Sequence, residues 1–359
     1  MENIAHSLCG AAIAESGFSE RLGRKTAWWV GLISANVPDI DLVTYPILGR
    51  EHYMFWHRGL THSLLACLLV PPLIAWLAQR WSKGARFRDL WLLAFLGYAS
   101  HLLMDVPTSW GTMLLAPFDY TRFAMHWVYI VDLFFWIILS APFWMGRFIP
   151  VKRAVLARYS MLVLAAYIGF CGVLHGLAVG QVQETAEQHG VGLVGAAAYP
   201  SPFLPVYWNG VGDDGEFLHQ GAIQVLGGSG AVLDRVFARN LDHPAVETVR
   251  KTTSGRLFLE EWATDPFATI RCLDDGSELW VSLSDLRYVN PWLNRTGFSL
   301  EFRLSRGEGN AEYQVEEHFW KTTWEESVLP DTSCDWLPRA RPSGAASSRD
   351  VNSPTLGPQ

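Results

Sequence analysis

The chain lacks a basic excess: 28 Lys and Arg stand against 35 Asp and Glu, a formal net charge of −7 over 359 residues. Binding a phosphate backbone needs a stripe of cations interleaved with aromatics, and none occurs, so nucleic acid is excluded as a partner. It also lacks any CxxC pair among its five cysteines, which excludes a zinc-thiolate site. Cys9, Cys67 and Cys171 fall in apolar segments and read as small buried hydrophobes. Cys272 and Cys334 share the C-terminal half and would pair only in an oxidising compartment, so their state is left open. There is no GxSxG elbow, P-loop or HExxH, which removes support for serine-hydrolase, nucleotide and zincin chemistry. No basic residue precedes the first apolar stretch, which begins after Glu2, so a cleaved secretory signal is not expected. No internal repeat is found.

What is present divides the chain. Residues 1–180 are dominated by apolar runs, and 181–337 read as a soluble mixture. Residues 338–359, without apolar content, are expected to be a disordered tail. Two short apolar runs, 3–18 and 26–38, predict a tight helical pair broken by Pro38. Longer runs at Ser63–Gln79, Leu90–Met104, Trp127–Met145 and Tyr159–Val179 approach bilayer length and predict spans, the first kinked by Pro71-Pro72. Buried helices of a soluble protein explain any one of these runs; four in succession with few charges favour the membrane.

Basic residues cluster in three connections: Arg21, Arg24 and Lys25; Arg80, Lys83, Arg86 and Arg88; and Arg147, Lys152, Arg153 and Arg158. The positive-inside rule puts all three in the cytoplasm, and threading the spans puts residues 181–359 outside it. From about Tyr199, short alternating runs at 255–262, 267–273, 278–283 and 298–304, with a turn signal at Asp275-Gly276, predict a small antiparallel sheet domain. The expected architecture is mainly α: a multi-span membrane bundle followed by a β-rich extracytoplasmic domain.

The same threading places His6, Asp39, Asp41, His57, His62, His101, Asp105 and His126 on one face, and these residue types ligate metals. Each has an ordinary alternative. His101 and Asp105, four apart, share a helix face as two ligands or as a hydrogen-bonded pair. Asp39 and Asp41 follow a proline, as converging carboxylates or as a turn with a cap. His57 and His62 flank a helix entrance that Thr61 or Ser63 caps. His6 alone reads as a structural helix residue. Asp132 is a proton-carrier candidate, His126 a weaker ligand candidate, and His175 has no identifiable partner. Three or four imidazoles with two or three carboxylates suit Zn²⁺, or a pair of divalent ions with Mn²⁺ as an alternative, and water completing the coordination.

The set Pro38-Asp39-Ile40-Asp41, His57-Arg58-Gly59-Leu60-Thr61-His62-Ser63 and Gly97-Tyr98-Ala99-Ser100-His101-Leu102-Leu103-Met104-Asp105, continued by Thr108, Gly111 and Pro117-Phe118, closely resembles the YdjM-like family of membrane-bound metal-dependent hydrolases over roughly residues 1–145. The C-terminal half resembles the extra region some members carry, through Trp208 and Asp285-Leu286-Arg287-Tyr288. The resemblance implies an integral inner-membrane hydrolase with His6, Asp39, Asp41, His57, His62, His101 and Asp105 at the metal. The family is in turn distantly similar to zinc-dependent phospholipases C, which implies phosphoester chemistry by analogy. The expected reaction is attack of activated water on an ester, with a phosphoester of a lipid or lipid-linked molecule as the expected substrate and Asp39, Asp41 or Asp132 in catalytic roles. The competing expectation is a metal-stabilised membrane scaffold or transport component whose β domain binds a partner.

Overall fold

A computed structural model describes residues 1–202, 204–227, 230–273, 278–291, 295–305 and 313–321. The tail beyond 337, Cys334 and the Asp275-Gly276 turn lie outside them. The N-terminal part is mostly helical and the C-terminal part is β-rich and antiparallel.

Helix α1 (Asn3–Ile13) starts where the Glu2 carboxylate accepts from the Ile4 and Ala5 amides, and a π-helical stretch with a break at Gly17 carries it into α2 (Ser19–Leu22). Helix α3 (Arg24–Asn36) crosses α1 where a Cβ on Gly10 would lie 2.3 Å from the Gly31 carbonyl oxygen, so only glycine permits this approach. A 3₁₀ segment (Val37–Thr44) with Pro38 in its first turn carries Asp39 and Asp41. Helix α4 (Tyr45–Trp56), which the apolar runs did not announce, follows, broken at Gly49.

Ser63 caps α5 (Leu64–Trp81) by accepting from the Ala66 amide, and this helix stays continuous through Pro71 and Pro72. Helices α6 (Phe87–Asp105), α7 (Leu133–Met145) and α8 (Arg153–Gln188) complete the bundle. Of the four expected spans, α5 and α8 are long and apolar enough to cross a membrane. The expected third, at Trp127–Met145, shortens to the 13 residues of α7 because the chain before it is loop and Asp132 caps the helix, its carboxylate accepting from the Phe134 amide at 2.8 Å. Helix α8, 36 residues and hence about 54 Å long, overruns both a bilayer core and the expected boundary at 180. Its last turns bury Val182, Thr185 and Ala186, and Val182 meets the β domain at Gly210.

The three basic connections converge on one end of the bundle. Arg21 reaches Asp89 at 3.4 Å, Arg24 and Arg153 both reach the buried Glu15, and Arg158 donates to the Ser16 carbonyl. The β domain sits at the other end. One sheet holds β1 (Gly195–Pro200), β2 (Tyr207–Asp213), β3 (Phe217–Gln224) and β4 (Gly230–Ala238) in that order. After α9 (Pro244–Arg250) and α10 (Thr253–Arg256), strands β5 (Pro266–Leu273), β6 (Glu278–Asp285), β9 (Ser299–Ser305) and β10 (Gln314–Lys321) form a second sheet in the order β10-β9-β6-β5, while β7 (Val289–Asn290) pairs with β8 (Arg295–Thr296).

The run 255–262, expected as a strand, is helical instead: Thr252 caps it by accepting from the Gly255 amide, and Phe258 and Trp262, four apart, bury one face. Cys272 is disulfide-bonded. The second sheet's core takes in Met54, Phe55 and Trp110 from the helical half, so the two halves share one apolar cluster. Arg287, paired with Asp285 at 2.8 Å, also donates to the Ser109 carbonyl and locks this junction.

Candidate metal centre

Four local devices aim the ligand-type residues at one point. The 3₁₀ turn after Pro38 points Asp39 inward while Ile40 is exposed. The chain 57–62 turns through Arg58, held at φ +64°, and the backbone of this turn is tied by Arg122, whose guanidinium donates to the Phe55, His57 and Gly111 carbonyls. Gly111 has φ +86°, and a Cβ there would lie 2.8 Å from that of Arg122. The last turn of α6 delivers His101 and Asp105 from one face, and α1 delivers His6. His6, His62, His101 and Asp105 are at most 1% exposed.

Around this point His62 Nε2 stands 3.0 Å from His101 Nε2, 3.3 Å from Asp39 Oδ1 and 3.5 Å from Asp105 Oδ2; His101 Nε2 stands 3.5 Å from Asp39 Oδ1 and 3.4 Å from Asp105 Oδ2. Ligands about 2.0–2.1 Å from a tetrahedral ion are about 3.3–3.4 Å apart. The donors therefore already have the spacing that one ion requires.

Proton placement agrees. His101 Nδ1 faces the Ala35 carbonyl at 2.7 Å, which only accepts, so Nδ1 carries a proton and Nε2 is the nitrogen turned inward to Asp39 and Asp105. Both nitrogens of His6 and Oδ2 of Asp105 are buried without a hydrogen-bond partner, in the neighbourhood where a cation would use them. Burial holds His62 down to about 4 despite the carboxylates around it, so it is neutral, the form that ligates. Burial alone would raise the Asp39 carboxyl, but hydrogen bonds from His101 and His62 outweigh it and keep it below the usual carboxylate range.

The donors form three overlapping groups: His6, His101 and Asp105; Asp39, His62 and His101; and Asp39, Asp41 and His57. All seven sequence candidates for the metal thus come together. Within the third, His57 Nδ1 lies 3.1 Å from Asp41 Oδ1, and Asp41 Oδ2 accepts from the Arg58 amide and the Thr61 hydroxyl. Hydrogen bonding to His57 holds the Asp41 carboxyl low against the opposing effect of burial.

Asp132, His126 and His175 join none of these groups. Asp132 caps α7 and accepts from the Tyr167 hydroxyl at 2.8 Å, His126 stands edge-on to Tyr199, and His175 has the Trp208 ring as its neighbour.

Arg58 is the residue whose role the motif reading passed over. Its side chain is 2% exposed, with Nη2 3.0 Å from Asp105 Oδ1 and Nη1 2.7 Å from Thr108 Oγ1. The Met1 amine also contacts Asp105 Oδ1. The available signal was the arginine itself, since a cation between two ligand histidines needs a carboxylate.

Residues 1–178 match the family described as YdjM inner membrane protein. The inner membrane protein YbcI of Escherichia coli (strain K12) is 31% identical over 122 residues, covering 33% of this chain and 65% of the relative. The uncharacterized protein YfhP of Bacillus subtilis (strain 168) is 30% identical over 106 residues, covering 30% of this chain and 32% of the relative. The chain thus spans less than two thirds of the length of either. No solved structure matches it.

Proposed function

We propose, from the premise that residues 1–178 belong to the YdjM inner membrane protein family, that this chain is a multi-pass, metal-dependent hydrolase of a phosphoester of a lipid or lipid-linked molecule. The observation that carries the reading is the buried set His62, His101, Asp39 and Asp105, with donor spacings of 3.0–3.5 Å. His6, His57 and Asp41 are surplus to a single four-ligand ion, and a purely structural ion has no use for them.

A bound divalent ion, Zn²⁺ or Mn²⁺, supplies a water of lowered pKa and an electrophilic centre for the scissile oxygen. The chain's own residues do the rest. His57, its Nδ1 proton held by Asp41, keeps a lone pair on Nε2 and acts as the general base. Its ring is held by stacking on Tyr53 at 4.7 Å between centroids. Arg58 neutralises Asp105 and fixes its orientation. Asp132, tied to Tyr167 and the α7 amide, keeps a helix-capping role.

The gathering of the basic connections at the opposite end supports an extracytoplasmic centre and β domain. The disulfide-bonded state of Cys272 accords with an oxidising compartment. The scaffold reading is favoured by one observation, the near-complete burial of His62, His101 and Asp105.

The test uses full-length protein in mild detergent, supplemented with Zn²⁺ or Mn²⁺, with metal content and turnover of lipid phosphoesters both measured. Wild type should carry one or two ions per chain, and His62→Ala and His101→Ala should bind at least about 100-fold more weakly. A folded wild type without metal refutes the centre; metal without turnover of any ester moves the assignment to the scaffold.

A further inference from the structure

At the basic end, α3 carries a groove of about 560 Å³ lined by Arg24, Lys25, Trp28, Trp29 and Leu32. We propose that this groove binds the headgroup and upper acyl chain of an anionic phospholipid. The inference does not rest on the metal centre.

One wall is built. The Trp28 indole N–H donates to Glu15 Oε1 at 2.7 Å, its ring stands edge-on to Phe143 at 5.3 Å, and the Arg24 guanidinium lies 5.0 Å above it. Arg24 Nε donates to the same Glu15 oxygen at 2.8 Å, so the guanidinium is anchored at one nitrogen while the side chain stays 56% exposed. Glu15 is shared with Arg153 at 3.7 Å, so one carboxylate faces two guanidinium groups and the locality keeps positive charge. Lys25 has no carboxylate partner among the described residues.

Below the charges the lining turns apolar. Trp29 is 59% exposed, and Leu32 lies two turns from Arg24, about 12 Å along the axis. Charge at the first turn followed by an aromatic and an aliphatic wall is the profile of a phospholipid entering the bilayer headgroup first. Basic pockets beside membrane helices take acidic headgroups, and tryptophan settles at that depth. A zwitterionic lipid brings no net charge to Lys25, and a free phosphate leaves Trp29 and Leu32 unused.

The test is native mass spectrometry of the full chain in detergent, titrated with dioleoylphosphatidylglycerol, dioleoylphosphatidylcholine or inorganic phosphate. Wild type should retain phosphatidylglycerol several-fold over phosphatidylcholine. Lys25→Gln should weaken the phosphatidylglycerol adduct about fivefold, the factor to which about 1 kcal/mol per basic residue converts. Trp29→Ala should shorten its retention without affecting any phosphate adduct. Both side chains are exposed, so neither change threatens the fold, and unchanged metal content would report that the other end of the bundle is intact. Equal retention of the two lipids, variants that behave as wild type, or a phosphate adduct as persistent as the lipid one would each overturn the proposal.

Discussion

At one end of the helical bundle three carboxylates and four imidazoles are gathered with one buried guanidinium. At the other, Arg21, Arg24, Lys25, Lys152 and Arg158 face outward around the buried Glu15. The difference is access to water. Where water is excluded, ions must satisfy one another at fixed distances, so each substitution leaves a charge stranded. Where water is present, each charge is weak, and only the sum of the cluster makes a sizeable field.

The sharpest way to break this contrast is at Asp105. Asp105→Asn removes the carboxylate that faces Arg58 at 3.0 Å and leaves a buried guanidinium without its counter-charge. The expected loss is about 3–5 kcal/mol of stability, accompanied by loss of bound metal. Unfolding in detergent measured with and without Zn²⁺ separates the two, because Arg58→Met with Asp105→Asn should recover stability but not metal. If Asp105→Asn alone leaves both unchanged, the contrast between the ends collapses.

A middle-sized effect tests the junction with the β domain. Burial, then Arg287 and His175, hold His126 down to about 4. For a base whose folded pKa is depressed, the unfolded chain takes the proton first. Stability is therefore full above about pH 6.5 and falls as the pH drops towards 4, by at most about 1.4 kcal/mol per pH unit. Denaturation midpoints of wild type and His126→Gln across this window should converge on acidification. Parallel curves would show that His126 does not titrate between the two states.

Much of this was legible from residue order. Apolar runs marked the helical bundle, the seven metal-ligand candidates come together, and three of the four expected strands formed, because period and burial agree there. What was hidden depends on tertiary partners. The 255–262 run alternates like a strand, yet a threonine cap and the Phe258/Trp262 pair make it helical. Helix α4 has few buried positions of its own and gains Met54 and Phe55 as core residues only by entering the β domain's cluster. The division of labour within His57-Arg58-Gly59-Leu60-Thr61-His62-Ser63 was equally hidden: His62 faces the centre, His57 pairs with Asp41, and Arg58 serves Asp105. Spacing alone fixes none of these directions.

The smallest expected effect sharpens the comparison from the basic end. Arg21 lies 3.4 Å from Asp89 with its side chain 60% exposed, and its guanidinium lies 5.8 Å from the centre of the Phe18 ring. On geometry alone the pair resembles Arg58 with Asp105, since charge, residue types and separation nearly match. Exposure separates them: water and salt screen Arg21, and its removal leaves Asp89 able to solvate. Arg21→Ala should therefore cost less than about 1 kcal/mol, and the cost should shrink further as salt is raised. The cost of Asp105→Asn should be nearly salt-independent. Unfolding curves for the two variants at low and high salt make the comparison directly. An Arg21→Ala loss as large and as salt-insensitive as that of Asp105→Asn would mean that the basic end is a buried ionic core as well, and that the two ends differ in sign only.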